Sequence, residues 1–417
     1  MDDEKSSLPN KFFFYKEESP NVTSDHWDFE LPTQVQFGRN RLAQLGTAAA
    51  KYGNSALLVG YADQTGLEET YARAEKVLSL AGVAVTPFYE VPPDPVAELG
   101  QVGARQAAAV GVDLVIGLGG GSVIDCAKGI AALVKMGGEL WDYAGSNPTG
   151  KTITDSLPVI AVPTTSGTGS EVSAVAVFTH HGVGSQEGIP LKASVNGPAL
   201  RPKVALVDPD LSVGSPPRLT AVCGADALAH AIESCMSTKA NPMSMALATR
   251  AIVLISKNLV QAVENPNDPE PREALALGSM LAGAAFGSAG VVLPHAIGQA
   301  LGSLMHIPHG EAVAIGTPPN LRFNAECCQD LYCQLAHYCG TGGDTPQERA
   351  AGFVEHVIGL LKQIGLPDRV DAGEQDRDSL AEKLTVNAYE STAVPIRLNP
   401  REVDHATLKS IFLEILS

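Results

Sequence analysis

The sequence predicts an α/β domain followed by an all-α domain, and three observations carry that expectation. From about residue 55 to 213, short apolar runs alternate with helical stretches, the pattern of a parallel sheet with helical crossovers. Beyond Pro216-Pro217 the texture turns Ala- and Leu-rich with helical period, and no strand run of similar strength recurs. The chain's 417 residues exceed the ~250–300 that one hydrophobic core can serve, so two domains are the default.

In chain order, residues 1–30 are polar with aromatic flecks (KFFFYKEES, then SDHWDFE) and have no sustained period, so an extended arm packed on the body is expected. The α/β domain is placed over 31–213. Its strands are SALLVGY, VAVTPFYEV and DLVIG, alternating with helices ETYARAEKVLSLAG and LGQVGARQAAAVG; LPVIAVPTT, AVAVFTH and KVALVDP are read as further strands of the same domain. The all-helical domain is placed over 214–417, opening with LTAVCGADALAHAIESCM and SMALATRAIVLISKNLVQAV before the polar loop NPNDPEP. No internal repeat is visible.

Hydrophobic residues make up 45% and charged residues 18%, enough apolar material for two cores and too little charge for disorder. A formal charge of −17 repels a phosphate backbone or an anionic membrane surface, so neither nucleic acid nor membrane is expected as a partner. The uncharged stretch from Ala274 to Pro294 is long enough for a bilayer, yet its Gly, Ala and Ser content and its Pro294-His295 end suit a buried helix better. Seven cysteines, an odd number without framework spacing, together with a start (MDDEKSSLPNK) that lacks a basic and an apolar region, point to the reducing cytoplasm.

Two loops carry the first chemistry. In DLVIGLGGGSVIDCAKG a buried strand runs through Gly119, Gly120, Gly121 and Ser122 into a helix bearing Asp125. Such a turn offers free backbone N–H groups and a helix N-terminus to an anion, where side chains would keep a pyrophosphate out. It is not the GxGxxG fingerprint. The second loop, PTTSGTGSEVS, crowds Thr164, Thr165, Thr168 and neighbouring serines between glycines, a hydroxyl density suited to ribose and nicotinamide. Two such loops in one sheet make a dinucleotide the economical ligand, and the domain a Rossmann-like one.

The second chemistry lies in the helical half. Asp226 and His230 in GADALAHAIES are four apart, one turn from each other on one helical face. His295 and Gln299 repeat that relation in VLPHAIGQALG, and His309 follows Pro308, which redirects the chain. One carboxylate and three imidazoles suit Fe²⁺ or Zn²⁺ and can leave a position open for a substrate oxygen.

The segments GGGSVIDCAKG, PTTSGTGSEVS, GADALAHAIES, AGAAFGSAGVVLPHAIGQALG and IPHGEAVAI, with PPNLRFN and LNPREV, resemble the iron-dependent (group III) alcohol dehydrogenase family over roughly residues 30 to 415. The resemblance implies the dehydroquinate synthase-like fold, with a dinucleotide domain, a helical metal-binding domain and a metal in the cleft between them. It makes Asp226, His230, His295 and His309 the ligands. Gly119, Gly120, Gly121, Ser122 and Asp125 become the pyrophosphate loop, Thr164, Thr165 and Thr168 ribose and nicotinamide contacts, Lys192 a ribose-binding lysine, and Asp94 in PPDP a cofactor-side polar group. His306 is off the ligand positions; as a structural or cleft-side group it joins His295 and Gln299 in the candidate catalytic set.

Two departures from the family pattern matter. Gln299 stands where many members have a second histidine and cannot take up a proton near neutral pH. The first strand ends in Gly60 and Tyr61, as LLVGYAD, where NAD-preferring members carry an acid, so NADP is as open as NAD. The expected activity is metal-dependent, NAD(P)-linked hydride transfer between a small alcohol and its aldehyde, in a homodimer or higher homo-oligomer. Other readings are a hydroxyacid (4-hydroxybutyrate-type) oxidoreductase or transhydrogenase of the same family, suggested by WDFELPTQVQFG, a dehydroquinate-synthase-like lyase, and a cofactor-binding protein without catalysis.

Overall fold

The computed structural model describes residues 26–417, so nearly all of the arm expected over 1–30 lies outside the described residues. The first half contains β1 (Gln34–Phe37), α1 (Leu45–Ala49), β2 (Ser55–Tyr61), α2 (Glu68–Leu80), β3 (Ala84–Val91), α3 (Glu98–Val110), β4 (Leu114–Gly119), α4 (Gly121–Met136), β5 (Val159–Pro163), β6 (Val175–His180), β7 (Leu191–Asn196) and β8 (Val204–Val207). The second half is helical: α5 (Pro217–Met236), α6 (Pro242–Glu264), α7 (Pro269–Ala289), α8 (Leu293–Met305), α9 (His309–Phe323), α10 (Gln329–Cys339), α11 (Pro346–Gln363), α12 (Arg377–Leu398) and α13 (His405–Ile415).

Six strands form one parallel sheet in the order β1-β8-β5-β4-β2-β3. Helices cover both faces, so β4 and β5 are buried at every position and read as continuous apolar runs. From β2 the chain steps outward to β3, then returns to place β4 on the other side of β2. That reversal opens a crevice at the carboxyl ends of β2 and β4, the place where open α/β sheets take ligands. Glycines stop the helices: Gly111, which follows α3, is left-handed at φ 71° and leads into β4.

AVAVFTH, read from the sequence as a further strand of this domain, is a strand, but it stands outside the parallel sheet in an antiparallel hairpin, β6 with β7, in the register Phe178↔Ala193. The physical reason is packing. Phe178, fully buried, lies against Gly129 of α4, where an added Cβ would meet its ring at 2.8 Å, and the hairpin shares a core with Ala132, Leu133 and Leu140. Strands β1 and β7 escaped the sequence reading because QVQF and LKASVN are short and half polar.

The helical half packs around α5, α6 and α7. Asn241 caps α6 by accepting from the backbone N–H groups of Met243 (3.1 Å) and Ser244 (3.0 Å). By length and composition α6 could cross a membrane; here its stripe Ala248, Ala251, Ile252, Ile255, Leu259 and Ala262 is buried in the core. The uncharged stretch flagged above becomes α7 and α8, bent by 102° at their junction. The two halves touch backbone to backbone where Gly169, in the loop after β5, meets Gly283 of α7: a Cβ built on Gly169 would lie 2.3 Å from Gly283 Cα.

Candidate metal and nucleotide site

Helix α5 carries Asp226, His230 and Glu233 on one face, at steps of four and three residues. All three are buried, as is His295 in the first turn of α8, while His309 opens α9 directly after Pro308. A ligating atom from each of Asp226, His230 and His295 lies within 4.8 Å of the others. Asp226 Oδ1 is 3.5 Å from His295 Nε2 and 3.7 Å from His309 Nε2, and Asp226 Oδ2 is 3.8 Å from His230 Nδ1. His309 thus stands at the rim of the trio, more open to solvent than the other three.

Whether these residues suit a cation can be read from their unpaired atoms. Among the described residues, Asp226 Oδ1, His230 Nδ1 and His295 Nε2 are buried without a hydrogen-bond partner. Burying three such atoms unpaired costs roughly 1–3 kcal/mol each, and their convergence on one point is what a metal resolves. His295 Nδ1 is bonded to Glu233 Oε1 at 2.7 Å, which leaves Nε2 as the lone-pair nitrogen facing the trio. Glu233 is itself fixed by accepting from Val292 N at 2.7 Å. The residues fit a divalent cation.

The electrostatics agree. Burial pushes His230 down to about 3 and His309 down to about 4, so both are neutral imidazoles, the form that ligates. Burial would also raise Asp226, but His230 and the other histidines hold its carboxyl well below the usual carboxylate range. His295 moves the other way, up to about 10: burial lowers it, and Glu233 and Asp226 overcome that.

A cavity of about 1200 Å³ opens beside this cluster. Asp226, His230, His295, Gln299, His306 and His309 line it from the helical side. Asp94, Gly121, Ser122, Asp125, Thr168 and Lys192 line it from the sheet side, so these expected site residues do meet in one cleft. Gly119, Gly120, Thr164 and Thr165 do not line it. Gly120 lies under the Tyr61 hydroxyl, 2.6 Å from where its Cβ would be, and Thr164 N donates to Gly119 O at 3.0 Å, tying the two loops together. Gly121 faces Thr168, whose Cγ2 lies 2.4 Å from a built Cβ.

Asp125 works as a brace. It accepts from the Ser170 hydroxyl and from Val177 N (2.9 Å), while Lys128 Nζ donates to Ser170 Oγ at 2.7 Å and to Val175 O at 2.8 Å. Asp94 pairs with Lys192 at 2.9 Å, and Ser122 donates to Pro93 O.

The Iron-containing alcohol dehydrogenase family model matches residues 32–209, and the C-terminal model of the Fe-containing alcohol dehydrogenase family matches 220–416. The chain belongs to the iron-containing alcohol dehydrogenase family. It is 36% identical over 333 residues to long-chain-alcohol dehydrogenase 1 of Geobacillus thermodenitrificans, covering 79% of this chain and 82% of that one. The solved alcohol dehydrogenase ADH/D1 of a halo-thermophilic Red Sea brine pool archaeon superposes with a TM-score of 0.86 at 30% identity, covering 94% of this chain and 99% of that one. The sulfoacetaldehyde reductase of Bifidobacterium kashiwanohense, solved with NAD⁺, gives 0.81 at 26% identity, covering 94% and 99%.

As an iron-containing alcohol dehydrogenase the protein is a metal-dependent alcohol and aldehyde oxidoreductase, which removes the lyase reading. Sequence reasoning missed two residues that support the site from behind the cavity wall. Glu233 was legible as the third residue on the Asp226 face, and nothing in the spacing revealed that it is buried. Tyr61 was read only as a missing acid; it packs on the glycine turn. Gln299 is buried with its carbonyl oxygen unpaired among the described residues, and His306, exposed and left-handed at φ 56°, ends α8 at the cavity wall.

Proposed function

We propose that the protein interconverts a primary alcohol and its aldehyde with NAD⁺ or NADP⁺, on a divalent cation held by Asp226, His230, His295 and His309. The carrying observation is the convergence of three buried, unpaired ligand atoms on a cavity whose far wall is the glycine turn. When bound, an iron or zinc ion supplies stabilisation of negative charge on the substrate oxygen, and nicotinamide supplies or accepts the hydride.

The chain's own residues do the rest. Glu233 holds the His295 ring in the tautomer that presents Nε2. The glycine turn presents backbone N–H groups at the start of α4 to a pyrophosphate, and the Asp94–Lys192 pair offers ribose-range donors and acceptors at the same cleft. Gln299 Oε1, which has no donor among the described residues, accepts from a hydroxyl or carboxamide in the cavity and so orients it without exchanging a proton. Proton exchange with solvent then falls to water and His306 at the cavity edge. Because β2 ends in Tyr61 and the first carboxylate, Asp63, comes two residues later and is engaged with Thr65, the strand end itself places no acid against a 2′-phosphate, which supports use of NADPH as well as NADH.

We place the enzyme in the cytoplasm as a homodimer or higher homo-oligomer; light scattering that shows only monomers would overturn the second point. The function is tested by a spectrophotometric panel of alcohols and aldehydes against both nicotinamides, with metal measured on the same sample. Turnover that survives complete removal of metal would sink the reading.

A further inference from the structure

Away from the cleft, two free thiols stand side by side. Cys327 and Cys328 occupy the turn between α9 and α10, with their sulfurs 3.9 Å apart, and neither lines the cavity. Cys327 is exposed and Cys328 is buried. The turn that carries them is fixed by its backbone, since Cys328 N donates to Asn324 O at 2.9 Å and Tyr332 N donates to Cys328 O at 2.9 Å. Asn324 is locked in its turn, donating from Nδ2 to Asn320 Oδ1 at 2.8 Å and to Asn399 Oδ1 at 3.0 Å. The sulfurs are therefore held in place before any ligand arrives.

Their separation decides what they suit. A disulfide needs sulfurs ~2.05 Å apart, far closer than this turn holds them. One soft atom bonded to both sulfurs at ~2.3 Å, with a bond angle near tetrahedral, spans ~3.8 Å, which matches the observed spacing. Zinc is a poor occupant, because a structural zinc takes four protein ligands. Among the described residues the only cluster of three or more ligating His, Cys, Asp or Glu is Asp226, His230 and His295, so the thiol pair has no third such ligand. A centre completed by two sulfurs and one group of its own fits instead, and trivalent arsenic bearing an organic substituent is such a centre. Protonation points the same way. Burial, and then Cys327 beside it, push the Cys328 thiol up. A protonated thiol is poor at attacking peroxide, whereas condensation with an arsenic hydroxyl carries the thiol proton away in the water that leaves.

We propose that Cys327 and Cys328 form a dithiol site for monosubstituted trivalent arsenicals, separate from the catalytic cleft. Exposed Cys327 condenses first; Cys328, by then an intramolecular partner, closes the ring. One R–As(OH)₂ and two S–H groups give R–As(S)₂ and two waters. Two As–O and two S–H bonds break, two As–S and two O–H bonds form, and no atom changes oxidation state.

The test adds phenylarsine oxide, which hydrates to such a dihydroxide, to the metal-loaded full chain in thiol-free buffer, read by intact mass and peptide mapping. Wild type should carry one phenylarsenic group, on the peptide holding both cysteines, and 2,3-dimercaptopropanol should remove it. Cys327→Ser and Cys328→Ser should each bind roughly 100-fold more weakly or worse, since a linked second bond is worth ~10²–10⁴. Cys328→Ala replaces the serine variant if a buried hydroxyl unfolds the chain. Cys333→Ser, which removes a part-buried thiol of α10, should bind as wild type does. No adduct on wild type, wild-type affinity in the Cys327 or Cys328 variants, or loss of the adduct in Cys333→Ser overturns the assignment. So does a purified wild-type peptide lacking two hydrogens, the mark of a disulfide between the adjacent cysteines.

Discussion

Glu233 shows how a residue outside the ligand set governs one inside it. Its carboxylate holds His295 Nδ1 at 2.7 Å and the Val292 N–H at 2.7 Å, so it fixes both the ring and the start of the helix that bears it. Replacing it by Gln keeps the shape and removes the charge; metal affinity should fall about 10–100-fold, read by competition with a chromogenic chelator. Glu171 offers a pH handle. Burial pushes its carboxyl up to about 7 from 4.5, so the folded chain retains a proton that the unfolded chain loses, and this group's contribution to stability falls as pH rises through that window. Glu171→Gln should therefore melt higher than wild type above about pH 7, with the gap closing as pH drops toward 4.5. At this scale the sequence was partly legible. Asp226 and His230 share a face by spacing, but burial, which turns Glu233 and Glu171 into functional or costly groups, depends on what packs over them.

Elements were easier to read where one periodicity ran long. Strand β2 and helices α2 and α3 follow their apolar patterns to within a residue or two, and β4 reads as a buried strand because every position is covered. AVAVFTH was legible as a strand but its pairing was not, because alternation says nothing of the partner, and β7 itself is short and half polar. Two loops set element-scale predictions. Gly169 has φ +59° and touches Gly283 Cα, so Gly169→Ala adds both left-handed strain and a backbone clash; a loss of ~2 kcal/mol or more in chemical denaturation is expected. At the end of β2, Tyr61→Asp should shift the NADPH-to-NADH ratio of kcat/KM toward NADH, and an unmoved ratio would show that this strand end does not read the ribose.

For the whole molecule, the two-domain order followed from length and from the change of texture after Pro216. The position of the cleft did not, since it depends on the strand reversal between β2 and β4 and on α12 returning to the cavity wall. A cation that binds only the folded chain couples the site to global stability. At 100 times its Kd it contributes ~2.7 kcal/mol, or a melting-temperature rise of ~5–10 °C for a domain of this size. Calorimetry on chelator-stripped protein refilled with Fe²⁺ or Zn²⁺ should show that rise, and His295→Ala should abolish it.

The glycine pair Gly169–Gly283 also bears on motion. With no side chains between loop and helix, the two halves have nothing compressible at that seam. The opposite rim is stitched by softer bonds, from Ser146 to Ser391 O (2.8 Å), from Gln186 to Lys383 O (3.0 Å) and from Asn387 to Pro190 O (3.2 Å). Any breathing of the enzyme should resemble jaws pivoting on a stiff knuckle, with deuterium uptake along residues 181–190 changing on cofactor addition while amides around Gly169 stay silent.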